Sequence, residues 1–169
     1  MSDDAELARR RRDAREAIDT HVMLAVGASM IPSPVVDVVA ITGIEVRLIG
    51  ALARIYGYPV PTKLVLGKLL VSLIGSLGPL YFTTKMYSAV KAIPLVGHAA
   101  VAGLLAVVNG AAVYAVGRVF QEHYESGGRF LSGDPAGVRR LFRRRYAEGR
   151  ALMPGYLRGD APPTLPSGT

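Results

Sequence analysis

The chain has 169 residues, half of them hydrophobic but only 7% aromatic, with no cysteine and no tryptophan. That length allows a single domain with a modest core, and the missing cysteines exclude disulfides and thiolate metal sites. Lys and Arg number 20 against 13 acids, a formal charge of +7, so anionic partners are favoured: acidic lipid headgroups or nucleic acid.

The apolar residues are mainly Ala, Val, Leu, Ile and Gly, a vocabulary of packed helices rather than of sandwiches or barrels. Residues 3 to about 29 are strong helix formers, with Asp3, Asp4 and Glu6 placed against the positive helix end. Arg9 to Arg12 precede apolar sequence, but Asp13, Glu16 and Asp19 intervene, and a secretory leader is not expected to carry three acids there. Residues 1–20 therefore read as a charged helical extension. Ile31-Pro32-Ser33-Pro34 ends this helix, and Pro34 can open the next as its first residue.

The second helix, Pro34 to about Gly57, is apolar except for Asp37, Glu45, Arg47 and Arg54. Glu45 falls nearly opposite Arg47 at about 100° per residue, so the helix is expected to pack on several sides with its charges at seams. A third helix is expected over Thr62–Leu77, and a shorter, more polar one over Leu80–Ala92. The longest apolar element follows Pro94, from Leu95 to about Tyr124, and Ser126-Gly127-Gly128 closes it. Asp134-Pro135 opens a last helix over 134–152, with Asp134 as its N-cap. The Gly- and Pro-rich residues 153–169 read as a disordered tail. The expected fold is all-α: a bundle of about five to six helices with an apolar helical-hairpin core, open to membrane insertion.

Between Lys91 and Arg118 no residue is charged over 26 positions, whereas a membrane span needs about 20. Leu69–Thr84 and His21–Val36 are uncharged too, but each is short for a span. Gly103, Gly110 and Gly117 recur every seven residues and so share a helix face, a pattern expected where a neighbouring helix approaches closely. In the last helix Val138, Leu141, Phe142, Tyr146 and Leu152 make an apolar stripe opposite arginines. Arg139, Arg140, Arg143 and Arg144 are the expected contacts for anionic lipid, each contributing about 1 kcal/mol near a charged surface; an ordinary solvated arginine face is the plainer alternative. Basic clusters at both ends of the apolar middle place both termini in the cytoplasm by the positive-inside bias, which calls for an even number of crossings. Lys85 and Lys91 conflict with a simple hairpin. Nucleic acid is the less favoured partner, because no stacking aromatics interleave with the arginines.

Three histidines, His21, His98 and His123, stand apart, without metal-ligand spacing. Gly67-Lys68-Leu69 lacks both the earlier glycine and the Ser or Thr of a phosphate loop. No nucleophile elbow or zinc-protease signature appears, so no enzyme, cofactor or metal is expected.

The order of features is more telling than any one of them. His21 precedes an apolar stretch, then Ile31-Pro32-Ser33-Pro34-Val35-Val36-Asp37, a helix ending Ile55-Tyr56-Gly57, a Gly/Leu-rich middle, and Ala92-Ile93-Pro94-Leu95-Val96-Gly97 before a Gly-rich helix. Residues 21–125 resemble the bacterial domain of unknown function 697, the YcjF-like family. The resemblance implies a helical domain of the inner (cytoplasmic) membrane that commonly follows a GTPase domain; here, since no phosphate loop is present, a separate GTPase or another membrane protein is the implied partner. His21, Pro32, Pro34 and Asp37 lie where the pattern is densest. Asp37 can cap its own helix, or reach His21 across the turn and lock the hairpin.

The expected function is that of a non-enzymatic, membrane-associated anchor, scaffold or remodelling protein. A soluble bundle that homo-oligomerises through apolar and glycine-lined faces is the alternative, followed by an anion-binding module for nucleic acid.

Overall fold

Residues 3–30, 34–62, 96–129, 131 and 134–160 are described in the computed structural model of the chain, without the side chains of 34–38, 96–98 and 101. The described residues form helices only: α1 (Asp3–Ala28), α2 (Pro34–Tyr56), α3 (Val96–Glu125) and α4 (Pro135–Arg158). The all-α class holds, and the described helices number four rather than five to six. The helices expected over Thr62–Leu77 and Leu80–Ala92 lie, apart from Thr62, outside the described residues.

Local chemistry sets the ends. Pro34 is the first residue of α2, where its missing N–H costs nothing. Gly57, at φ +76°, takes the left-handed position after α2, with Gly57 N–H donating to Arg54 O and Tyr58 N–H to Ala53 O. This paired closure satisfies carbonyls that the helix end leaves open. Gly127 closes α3 in the same way, through Tyr124 O and, from Gly128 N–H, His123 O. At the start of α4 the Asp134 carboxylate accepts from the Ala136 amide at 2.9 Å. Hydrogen bonds from the Gly137 and Ala136 amides, together with Arg140, hold its pKa below the usual range.

One sequence expectation fails here. The chain does not become disordered at Met153: α4 runs on through Pro154 to Arg158 and is capped by Gly159. Met153 and Tyr156 are buried, and their packing outweighs the one backbone hydrogen bond that Pro154 cannot make. Residues 161–169 lie outside the described residues.

α3 is the central element. From Asn109 to Gly117 every residue is buried, because α1, α2 and α4 all pack on this stretch. Ile18 and Leu48 both pack on Gly117, Val26 packs on Gly110, and Arg11 reaches Glu125. α1 is therefore antiparallel to α3, while α2, which meets Gly117 through Leu48 and Glu125 through Tyr56, is parallel to it. α4 is antiparallel, with Glu148 and Gly149 at Tyr114 and Met153 at Gly110. α1 and α2 fold back on each other as the hairpin reading expected.

Candidate membrane-facing surface and buried polar groups

The topology sorts charge along the bundle. α1 carries no charged residue after Asp19, α2 none from Val38 to Ile44, and α3 none before Arg118. The antiparallel and parallel pairings bring these three uncharged segments to one end, which they share with the C-terminus of α4 and its charged Arg158 and Asp160. There Met23, Leu24, Met30 and Val39 are exposed, Val39 to 68%. Clustered apolar exposure of this kind marks an interaction surface, whereas single exposed hydrophobics such as Leu7 and Val60 near the opposite end need no explanation. A polar tie crosses the apolar end: the buried Asn109 amide donates to Ser29 Oγ at 2.9 Å, and Ser29 Oγ–H donates to Ala25 O at 2.9 Å.

The stretch Ala102–Glu125 of α3 is long and apolar enough to cross a membrane by length and composition, yet 67% of its most apolar window is buried among the other helices. The C-terminal half of α3 is thus a protein-packed core helix. Its N-terminal part, from Ala99 to Leu105, is partly or fully exposed where described.

The opposite end is held by carboxylates. Glu125 accepts from the Tyr56 hydroxyl at 2.7 Å, the Gln121 amide at 3.0 Å and Arg11 Nη2 at 2.9 Å, joining α1, α2 and α3. Arg145 bridges Glu122 and Glu148, and Glu148 also accepts from the Tyr114 hydroxyl at 2.6 Å, joining α3 to α4. The rings of Tyr56, Tyr58, Phe120, His123 and Tyr124 pack together beside the first of these networks, Tyr56 stacked on Tyr124 and the others tilted or edge-on. Neither network stood out in the sequence, because the acids and their partners lie up to 114 positions apart.

Glu45 is the residue that sequence reasoning placed wrongly. It is not at a seam: its exposure is 0%, and both carboxylate oxygens are buried without a hydrogen-bond partner among the described residues. Burial alone pushes its pKa up to about 8, so at neutral pH it is mostly a neutral acid. Arg47 and Arg54 on the same helix are exposed. A lone acid inside the apolar run from Val38 to Val46 was the signal available for it.

The residues singled out from sequence are distributed as follows. Gly110 and Gly117 face tight contacts: a Cβ on Gly117 would stand 2.7 Å from Ile18 Cγ1 and 3.1 Å from Leu48 Cδ2, and one on Gly110 would stand 2.5 Å from Met153 Sδ. Gly103 has nothing within 4 Å. These glycines receive side chains from three helices, not the backbone of one. The close backbone approach is made instead by Gly149 of α4, whose added Cβ would meet Ala111 Cα and O at 3.1 Å.

Arg139, Arg140, Arg143 and Arg144 are exposed on α4. The stripe of Val138, Leu141, Phe142 and Tyr146 behind them is buried in the bundle, so α4 has no apolar face left to lay into lipid. His21 is half-buried, and its Nδ1 donates to Ala17 O of its own helix at 2.7 Å. Pro32 and the Asp37 side chain lie outside the described residues. Among the described residues no three His, Asp or Glu side chains are grouped to hold a metal.

Two comparisons bear on this arrangement. The chain is 34% identical over 142 residues to "Magnetosome membrane protein 22" of Magnetospirillum gryphiswaldense, covering 82% of this chain and 71% of that protein. No solved structure matches it. The family model described as "Domain of unknown function (DUF697)" matches residues 2–150, beginning earlier and ending later than the span read from sequence. With α1, α2, the central glycine-bearing α3 and most of α4 inside that match, the chain belongs to the DUF697 family.

Proposed function

We propose that this protein is a non-enzymatic, membrane-associated anchor or scaffold that engages the bilayer through the apolar surface that α1, α2 and α3 form at one end of the bundle. One observation carries the reading: three helices deliver their uncharged segments to the same end, where Met23, Leu24, Met30 and Val39 are exposed. Similarity to a protein named for the magnetosome membrane supports it. The exposed arginines of α4 add long-range attraction to anionic headgroups, as a charged flank rather than an inserted amphipathic helix. In this reading the membrane is the inner membrane of a bacterium, with both termini in the cytoplasm, and a separate GTPase is the candidate partner on family grounds.

The test is extraction of the full chain from bacterial membranes. Retention in the pellet after a carbonate wash supports insertion, and release by salt alone leaves only surface binding through arginines. Because carbonate is alkaline enough to ionise Glu45, the Glu45→Gln variant is washed in parallel. Its retention, with release of the unaltered chain, assigns that release to core opening rather than to weak insertion.

A second reading has its own observation. Since 67% of the most apolar window of α3 is already covered within the chain, the remaining apolar end is small enough to be covered by a second copy. A soluble species larger than a monomer, absent from the membrane fraction, would establish that reading.

A further inference from the structure

Where α1, α3 and α4 meet, a narrow cleft is lined by Arg15, Asp19, Tyr114, Arg118 and Tyr156, with Ile18 and Leu152 as its apolar wall. Several arginines elsewhere in the bundle are paired with carboxylates. Arg11 bonds Glu125, Arg140 bonds Asp134, Arg145 bonds Glu122 and Glu148, and Arg158 bonds Asp160. The two arginines of the cleft have no carboxylate within salt-bridge distance among the described residues, although both lie close enough to Asp19 to act on it electrostatically. Arg118 Nη1 donates to Gln121 at 2.8 Å, but Arg118 Nε is buried without a partner. A buried, unspent N–H on a charged group is costly and is the type of donor that an oxyanion satisfies.

The acids nearby are already engaged. Tyr156 O–H donates to Asp19 at 2.5 Å and Tyr114 O–H to Glu148 at 2.6 Å. Burial pushes the Asp19 pKa up, against the lowering influence of its hydrogen bond to Tyr156 and of Arg15 and Arg118. The buried capacity left over in this cleft is therefore a guanidinium donor, with the exposed Arg15 fork at its rim.

We propose that this cleft binds a phosphate group, held by Arg118 Nε from within and by the Arg15 guanidinium from the rim. Guanidinium forks match the paired oxygens of such a group, and two of them offset its charge. The group can be free phosphate or the phosphomonoester of a lipid headgroup. The site is distinct from the α4 arginine face and does not depend on membrane association.

The full chain is titrated calorimetrically with inorganic phosphate, and separately sedimented with phosphatidylcholine vesicles with and without phosphatidic acid. Arg15→Gln changes an exposed residue and spares the core; Arg144→Gln, exposed on α4, removes the same charge elsewhere; Arg118→Lys keeps the charge and loses the Nε–H. Loss of one charged hydrogen-bond partner is expected to weaken phosphate binding about tenfold in Arg15→Gln and Arg118→Lys, with Arg144→Gln within about twofold. Saturable phosphate binding with that pattern assigns free phosphate. Binding only to phosphatidic-acid vesicles, with the same pattern, assigns the headgroup. Equal losses in Arg144→Gln and Arg15→Gln, or no binding in either arm, overturn the proposal. A chain that binds no vesicle yet takes up phosphate retains this site while the membrane reading fails.

Discussion

At the scale of single residues, Glu45 sets the clearest expectation. Its pKa of about 8 in the fold compares with an ordinary 4.5, so the unfolded chain releases this proton at lower pH than the folded one. Below about 4.5 there is no penalty. Between 4.5 and 8 folding stability falls with pH by about 1.4 kcal/mol per pH step, of order 5 kcal/mol in all, and above 8 the loss is complete. Denaturant unfolding across that range should show this slope in the unaltered chain and its removal in Glu45→Gln; parallel curves for the two would refute the buried-acid reading. The glycines separate by what a methyl group would meet. Gly149→Ala presses on α3 backbone and should cost about 1–3 kcal/mol by overpacking. Gly103→Ala meets nothing within 4 Å and should be neutral or add up to about 1 kcal/mol through helix propensity. Melting temperatures of the two variants check the contrast.

At the scale of elements, α4 shows how a helix outlasts its local signals. Its start was legible because Asp134 and Pro135 are a cap and a first-turn proline. Its end was not, because Met153, Pro154 and Gly155 read locally as a stop, while burial of Met153 and Tyr156 depends on α3 and α1 lying beneath them. Asp134→Ala should cost about 1 kcal/mol by loss of the cap, read as a lower denaturation midpoint. Tyr156→Phe removes the donor to Asp19 and should cost about 1 kcal/mol; a chain truncated after Leu152, which loses both buried side chains, should lose several kcal/mol or fail to fold. Equal stability of the truncated and full chains in a thermal melt would return residues 153–158 to the status of a tail. The arginine face of α4 was also legible, and what the bundle changed is its meaning. Once the apolar stripe is spent on α3, the arginines act at a distance.

At the scale of the whole molecule, the apolar surface that α1, α2 and α3 gather at one end is the feature that function rests on. Met23→Asp with Leu24→Asp places two charges where bilayer contact is proposed, and each charge is expensive in hydrocarbon. Membrane recovery of the double variant should drop at least tenfold, with circular dichroism unchanged because both side chains are already exposed. Unchanged recovery would mean that this end does not meet lipid.

Much of the molecule was written locally. Proline pairs and glycine stops placed the C-terminal ends of α1, α2 and α3 within a residue or two, because these signals act within one turn of chain. The uncharged lengths of each helix could be read in the same way. Their convergence at one end, the burial of Glu45, the Gly149–Ala111 contact and the Arg15–Arg118 cleft could not. Each depends on the relative direction and register of helices far apart in sequence, and no periodicity within a single helix encodes which neighbour will cover it.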